Sequence, residues 1–262
     1  MELGITGWPL TRTLSPVIHS EFFRISGIEG SYRDYPVEAE ELSPLLTRLH
    51  LVGLKGLNIT HPYKTVAPDS CCDLDPEAEA AGAVNTLLSV DGGWKGFNTD
   101  VTGFRFCFAA LDAPDPVFVV GAGGAARAVA RALTLESRNY TIFCRSPVMW
   151  GGKGKALSLE QLDEHMKISA GTVVNATTLG WRDDDAFPLR SVMPGRFHFV
   201  DLNYNSRWEW RNRLSDHGIL ITTGEGILVR QAAESFRLWT GVHFGEAVIE
   251  RIIEELHHRE ER

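Results

Sequence analysis

Long apolar segments and cysteines are scarce in this sequence of 262 residues. No stretch approaches the roughly 20 consecutive apolar residues that a membrane helix needs. Glu2 and Pro9 interrupt the start of the chain, where a signal peptide would carry an apolar run. The four cysteines form no C-x-x-C pair, which excludes a zinc knuckle and disfavours a disulfide framework. We therefore expect a soluble, cytoplasmic protein whose thiols are reduced.

Positive charge is also in deficit, since 26 Lys and Arg oppose 34 Asp and Glu and give a net charge of −8. No run of basic residues is longer than two, which argues against binding to nucleic acid or to an anionic membrane. An anionic substrate would need a local positive site within this negative field. Hydrophobic residues make up 44% of the chain, enough for one large or two mid-sized cores.

Short apolar strands alternate with helical segments along the chain. Strands are predicted at 3–6, 32–37, 56–60, 83–88, 93–97, 117–120, 141–143, 172–174, 197–200 and 219–221. Two helices are predicted to begin at an N-cap residue, one at Ser15, which Pro16 follows, and one at Asp100. Further helices are predicted over 38–50, from a glycine-rich turn to about 135, from a capping box at 158–161, and from 244 to about 256. This alternation predicts an α/β fold with parallel sheets covered by helices on both faces. Two prolines within 112–116 give the strongest boundary signal in the chain, between a predicted helix and the predicted strand 117–120.

A glycine-rich turn follows the predicted strand 117–120. Its pattern, Gly121-x-Gly123-x-x-Ala126, opens a helix, which is the context that a dinucleotide-binding fold requires. The alternative is a tight strand–helix turn that binds nothing. The next strand ends in Cys-Arg-Ser at 144–146, without the acid that would bind the ribose of NAD. Arg145 suits a 2′-phosphate instead, which favours NADP, although an exposed arginine on a turn would look the same.

Polar residues capable of chemistry collect in the first hundred residues. The segment 58–64 (Asn-Ile-Thr-His-Pro-Tyr-Lys) places an amide, a hydroxyl and an amine at the end of a strand, where parallel sheets present ligands. Lys64 is one of only six lysines, which shortens the list of candidate catalytic amines. Asn85 and Asp100 have structural alternatives, because the amide could satisfy backbone groups and the carboxylate could simply cap a helix.

Taken together, the motifs carry a family resemblance that spans nearly the whole chain. They are Thr13-Leu14-Ser15-Pro16, Asn58-x-Thr60-x-Pro62-x-Lys64, Ala83-Val84-Asn85-Thr86, Asn98-Thr99-Asp100, Gly121-x-Gly123-Gly124-Ala125-x-Arg127-Ala128, Asn175-Ala176-Thr177, Asp201-x-x-Tyr204, Gly224, Leu228, Gln231 and Phe236-x-x-Trp239-x-Gly241. In this order and spacing, they make the sequence resemble the shikimate dehydrogenase family.

The resemblance implies an NADP-dependent oxidoreductase that reversibly reduces 3-dehydroshikimate to shikimate in chorismate and aromatic amino acid biosynthesis. It implies Lys64 as catalytic acid/base and Asp100 as its catalytic partner. The implied substrate-binding residues are Thr13, Ser15, Thr60, Lys64, Asn85, Asp100, Tyr204 and Gln231. The implied cofactor-binding residues are Gly121, Ala122, Gly123, Gly124, Ala125, Cys144, Arg145, Ser146, Leu202 and Gly224. No residue set has metal-ligand spacing, so no metal is expected.

The same resemblance implies two domains. Residues 1–102 plus 236–262 would form an α/β substrate-binding and catalytic domain, and residues 103–235 a Rossmann-like, doubly wound NADP-binding domain. Hinges near Pro114 and Gly224 would let the cleft close over a small-molecule substrate. The family leaves a monomer or a homodimer open.

The chemistry agrees with these roles. Hydride arriving at a carbonyl carbon leaves negative charge on the oxygen, which a positioned ammonium neutralises by giving up a proton. A lysine is protonated near neutral pH and can act as this acid. Alcohol oxidation needs the deprotonated amine, which predicts an alkaline optimum for that direction.

Several positions depart from the family pattern. Thr13 replaces a frequent serine, Cys144 replaces an asparagine, Trp181 and Ile227 replace common methionines, and Ser206 stands where a proline is common. These changes leave quinate, or both quinate and shikimate, as an alternative substrate. A non-catalytic NADP-binding regulator is the alternative from another class, but it predicts loss of the Lys64–Asp100 pair. A tetrahydrofolate dehydrogenase explains fewer of the motifs.

Overall fold

The computed structural model describes residues 1–11, 13–167, 170–181, 187–188, 196–204 and 214–260. Its strands are β1 (Glu2–Gly7), β2 (Ser31–Pro36), β3 (Gly56–Ile59), β4 (Cys71–Leu74), β5 (Thr86–Val90), β6 (Gly93–Phe97), β7 (Val117–Val120), β8 (Tyr140–Cys144), β9 (Lys155–Ser158), β10 (Ala170–Asn175), β11 (Arg196–Asp201) and β12 (Leu220–Thr222). Its helices are α1 (Ser15–Ser26), α2 (Leu42–Leu51), α3 (Pro76–Ala81), α4 (Thr99–Ala109), α5 (Gly124–Leu135), α6 (Leu162–His165), α7 (Glu225–Thr240) and α8 (Glu246–Glu260).

The first sheet is built from the first hundred residues, in the order β2-β1-β3-β5-β6-β4. Strands β1, β2 and β3 are parallel, as the alternation of strands and helices predicts. The hairpin predicted from its Asp91-Gly92 turn is present, and it adds β5 and β6 as antiparallel neighbours. Every residue of β3 is buried, which fixes its carboxyl end as a rigid base for the segment that follows.

The second sheet has the order β12-β11-β10-β7-β8-β9, and its described strand pairs are all parallel. Strand β7 is completely buried, as expected for the central strand of a sheet covered on both faces. Helix α5 leaves directly from its carboxyl end through the glycine-rich turn. The α/β fold class with a doubly wound, Rossmann-like half is thereby confirmed.

Helix α7 packs into the cores of both halves. Its Ile227 joins the core around Phe104 and the second sheet, whereas Phe236 joins the core around Leu3 and Ile18 in the first half. The two halves are therefore connected by a continuous helix rather than by a loose linker. The boundary that the sequence predicts between residues 235 and 236 falls inside this helix and stays a prediction.

Two predicted N-caps were wrong. Ser15 is the first residue of α1 and Leu14 holds the cap position, while α4 is preceded by Asn98 and contains Asp100 in its first turn. The capping box at Ser158 was correct, with reciprocal hydrogen bonds between Ser158 and Gln161. Among the described helices, none combines the length and the apolar character needed to cross a membrane.

Candidate active site

A cavity of about 730 Å³ lies between the carboxyl ends of the two sheets. It is lined by every residue that the sequence predicts for the site: Thr13, Ser15, Thr60, Lys64, Asn85, Asp100, Tyr204, Gln231, Gly121, Ala122, Gly123, Gly124, Ala125, Cys144, Arg145, Ser146, Leu202 and Gly224. Residues from both halves of the chain thus form one concave surface. Their individual roles stay predictions.

Lys64 and Asp100 form an ion pair on the first-half wall of the cavity. Lys64 lies in a short 3₁₀ turn, Tyr63–Thr65, just after β3, and its backbone oxygen accepts a hydrogen bond of 2.8 Å from the Val84 N–H. Its Nζ donates to Oδ2 of Asp100 at 2.7 Å. The two side chains are only 20% and 16% exposed, so solvent screens the pair weakly. An amine and a carboxylate are therefore held in fixed geometry beside open space.

Asn85 orients the carboxylate of this pair. Its Nδ2 lies 2.9 Å from Oδ1 of Asp100, and its Oδ1 accepts the Thr99 backbone N–H at 2.7 Å. Asn85 thereby satisfies a free N–H at the start of α4 and also fixes the carboxylate that follows. Gln231, from α7, brings its Oε1 within 3.3 Å of the same Asn85 nitrogen. The same geometry therefore agrees with both roles considered for Asn85, the structural one of satisfying a backbone group and the functional one in the site.

A second layer of buried polar groups supports this network. Asn58 accepts a hydrogen bond of 2.7 Å from the Tyr32 hydroxyl and donates to Ser235 Oγ at 3.1 Å. Ser235 also bonds Thr86 at 2.8 Å. Tyr32 and Ser235 were not predicted from the sequence. Ser235 meets Asn58 across 177 positions, and no local pattern marks it. These contacts hold the ends of β3 and β5 against α7.

The hydroxyl side chains of Thr13, Ser15 and Tyr204 line the cavity. Thr13 Oγ1 accepts the Ser15 backbone N–H at 3.2 Å, and Tyr204 lies beside Thr13 and Leu14. Burial raises the pKa of Tyr204 despite hydrogen bonds from Leu14 and Thr13, so the phenol stays protonated. Ser206, which follows closely, lies outside the described residues.

His61 adds a neutral ring to this wall. Burial lowers the pKa of His61, and the positive charge of Lys64 lowers it further. The imidazole is therefore uncharged at neutral pH and adds no positive charge beside Lys64.

The opposite wall is the turn between β7 and α5. Gly121 has φ +127°, and a side-chain carbon there would lie 2.8 Å from the Ala176 carbonyl oxygen, so glycine is required. A methyl group at Gly123 would meet no described atom within 4 Å, apart from its chain neighbours. The turn therefore leaves an open cradle at the N-terminus of a 12-residue helix, where backbone N–H groups can hold a phosphate.

Arg145 lies exposed at the edge of the same cavity, one residue beyond β8. Trp181 also lines the cavity, and it donates from Nε1 to Asn203 Oδ1 at 2.7 Å. Asn203 was not predicted as a site residue, although it lines the cavity and fixes the indole. Within the described residues, no group of three or more His, Cys, Asp or Glu side chains could hold a metal ion.

Two family models match this chain. The model described as the shikimate dehydrogenase substrate binding domain matches residues 5–87, and the model of the shikimate 5′-dehydrogenase C-terminal domain matches residues 224–254. Both segments contribute residues to the cavity described above.

Similar proteins cover almost the whole chain. A relative from Thermus thermophilus named shikimate dehydrogenase (NADP(+)) is 34% identical over 92% of this chain and 93% of its own length. A solved Thermus thermophilus shikimate 5-dehydrogenase, in complex with NADP(H) and shikimate, has a TM-score of 0.82 at 31% identity and covers 98% of this chain and 99% of its own. The Listeria monocytogenes enzyme, solved with shikimate and NAD, has a TM-score of 0.77 at 26% identity, with 96% of each chain covered.

Proposed function

Since this chain belongs to the shikimate dehydrogenase family, we propose that it interconverts 3-dehydroshikimate and shikimate with NADP(H), using Lys64 and Asp100 as its acid–base pair. The enzyme is an NADP-dependent oxidoreductase. The observation that carries the residue assignment is the 2.7 Å contact between Lys64 Nζ and Asp100 Oδ2, in a cavity that also contains the cofactor-type glycine turn.

Lys64 supplies the proton that reduction requires. As hydride reaches the carbonyl carbon, the ammonium gives its proton to the oxygen that becomes the hydroxyl. Asp100 keeps the ammonium at the edge of the cavity, and Asn85 keeps the carboxylate facing it. In the oxidative direction, Lys64 takes the hydroxyl proton, and because oxidation of the alcohol releases a proton overall, higher pH favours that direction.

A ring with several hydroxyls and a carboxylate fits the polar wall. Ser15, Thr13 and Tyr204 would bind one end of the substrate, and Thr60, Asn85 and Gln231 the other hydroxyls. A substrate lacking one hydroxyl would leave its protein partner unpaired in the occupied cavity, which costs about 1–3 kcal/mol of binding. This wall supports a polyol substrate over an apolar one.

The glycine turn fits the pyrophosphate of a dinucleotide, since the space at Gly123 is open and α5 begins there. When bound, the nicotinamide supplies or accepts the hydride. Arg145 would contact the 2′-phosphate, because a guanidinium offers paired donors to phosphate oxygens.

The organisation of the chain completes the proposal. Residues 1–102 plus 236–262 would act as the substrate domain and residues 103–235 as the cofactor domain. A cytoplasmic location agrees with the four free thiols, and a monomer or a homodimer agrees with a cavity that one chain lines.

A four-way assay tests the function. The absorbance of reduced nicotinamide is followed with shikimate or quinate, each with NADP or NAD. The wild type should prefer shikimate with NADP, and Lys64→Ala should lose about 10²–10⁴-fold in turnover while binding NADP normally. Unchanged turnover in Lys64→Ala would remove the acid–base role. Cofactor binding without turnover of any substrate by the wild type would favour the regulator.

Arg145→Ala serves as the cofactor arm of the same assay. It should weaken NADP much more than NAD, because only NADP carries the 2′-phosphate. An equal loss for both cofactors would refute this role of Arg145. Comparable activity on quinate in the wild type would broaden the substrate to both polyols.

A further inference from the structure

The two walls of the cavity touch at Gly124 and Lys64. A methyl group at Gly124 would overlap Cβ of Lys64 and lie 3.2 Å from its Cγ and 3.1 Å from its Cδ. Gly124 is the first residue of α5, on the cofactor side, whereas Lys64 belongs to the substrate side. The missing side chain at position 124 is therefore what lets the two walls approach this closely.

Lys64 cannot easily yield to such a methyl group. Its Cβ position is set by the backbone, which the Val84 N–H holds through a 2.8 Å hydrogen bond. The neighbouring Tyr63 hydroxyl donates to the Val37 carbonyl at 2.5 Å, and Nζ is tied to Asp100. A side chain at Gly124 would therefore push α5 away from the turn that carries Lys64, because interiors resist local overpacking.

We propose that Gly124 is a positioning residue that sets the separation between the hydride-carrying wall and the acid–base wall. The inference rests on the proposed function and deepens it. A side chain at position 124 leaves the groups on each wall intact and separates the two reacting partners. Misplacement by about 1 Å costs on the order of 10²-fold in rate, since reacting atoms must lie in near-attack contact.

Gly123 provides a matched control. It precedes Gly124, and its backbone, with φ −80° and ψ −171°, is one that alanine adopts. No described atom beyond its chain neighbours lies within 4 Å of a methyl group there, so Gly123→Ala adds bulk to the open cradle and leaves Lys64 untouched. Position 124 is the first residue of α5, so the helix propensity of alanine favours the Gly124→Ala substitution.

The test compares Gly123→Ala and Gly124→Ala with the wild type. Calorimetry gives the Kd of NADP and of shikimate separately, and kcat is measured with NADPH and with NADPH deuterated at the transferred position. Gly124→Ala should lose about 10–100-fold in kcat, show a larger deuterium isotope effect, keep the shikimate Kd within about threefold, and weaken NADP binding by less than the loss in kcat. Gly123→Ala should weaken NADP binding and leave the isotope effect unchanged.

Three results would overturn the inference. They are wild-type kcat in Gly124→Ala, a loss in that variant explained entirely by its NADP Kd, and failure of the variant to fold. Failure to fold would contradict the inference because the Gly124–Lys64 contact lies at the cleft. Separation of the two walls should therefore leave both hydrophobic cores intact. Absence of shikimate turnover in the wild type itself would overturn the proposed function, and this inference with it.

Discussion

His19 is a buried histidine that stands behind the polar wall of the cavity. Its ring stacks on Tyr32 with a centroid distance of 4.2 Å and lies 5.4 Å from the ring of Trp239. Burial lowers the pKa of His19 to about 3, and an interaction with Asn58 offsets only part of this effect. The folded protein therefore keeps a neutral imidazole at pH values where an unfolded chain would be protonated.

This difference makes stability depend on pH. The unfolded histidine takes up a proton near pH 6.5 and the folded one only near pH 3, so the free energy of unfolding falls as pH drops below 6.5 and the loss levels off below pH 3. At pH 5, the loss amounts to about 2 kcal/mol. Urea unfolding at pH 7, 6 and 5 should show a shallower pH slope for His19→Leu than for the wild type. His243→Leu, which changes an exposed histidine, is the control, and equal slopes in all three would contradict the prediction.

The crossing of helices α4 and α7 positions Gln231. A side-chain carbon at Gly103 would lie 2.8 Å from the Ile227 carbonyl oxygen and 3.0 Å from the Gln231 backbone nitrogen. The two helices approach so closely only because position 103 has no side chain. Gln231 therefore reaches Asn85 from a helix whose position is set elsewhere in the chain.

Gly103→Ala should separate these helices. Helix propensity alone predicts a gain of about 0.5–1 kcal/mol for this change, but overpacking should reverse the sign and cost about 1–3 kcal/mol. Because Gln231 moves with α7, the KM for shikimate should rise more than kcat falls. Thermal unfolding and steady-state kinetics measure both effects, with exposed Thr102→Ala as control on the same helix. A stabilised Gly103→Ala chain would show that the crossing tolerates the methyl group.

Elements with local signals could be predicted from the sequence. The turn at Gly121 follows an apolar strand and opens a helix, and the Asp91-Gly92 turn joins two strands, so each signal lies within a few residues. Strands β4 and β9 were missed, since both are short and partly exposed edge strands without apolar alternation. Their positions depend on the neighbouring strand more than on their own residues.

The residues of the candidate site also divide into those with a local sequence signal and those without one. Lys64, Asp100 and the glycine turn belong to compact motifs, so the sequence could identify them and the structure brings them together. Ser235 and the Gly124–Lys64 contact depend on pairing between distant segments, which single-sequence patterns do not encode. Asp100 is an instructive case, because the same residue type suits both a helix cap and a catalytic carboxylate. In the structure, Asp100 lies in the first turn of α4 instead of at the cap position, and it contacts Lys64.

The cavity is shared between the two halves of the chain, which both contribute residues to its lining. Under the proposed function, the substrate groups would come from the first half, Tyr204 and α7, and the cofactor groups from the second half. Each ligand would therefore complete the wall against which the other binds. Closure of the cleft would further exclude water and strengthen the contact between Lys64 and the reacting oxygen.

This shared cavity predicts that the two ligands bind cooperatively. Shikimate and NADPH are both in the reduced state and cannot react with each other, so their joint binding can be measured at equilibrium. We expect NADPH to tighten shikimate binding by about 5–150-fold, with the same factor in the reverse order, as linkage requires. Calorimetry in both orders tests this reciprocity. An NADP fragment without the nicotinamide should bind the glycine turn and give little coupling, because it leaves the shared boundary open. Equal shikimate Kd values with and without NADPH would mean that the halves act independently, and the cavity would then be two adjoining sites rather than one.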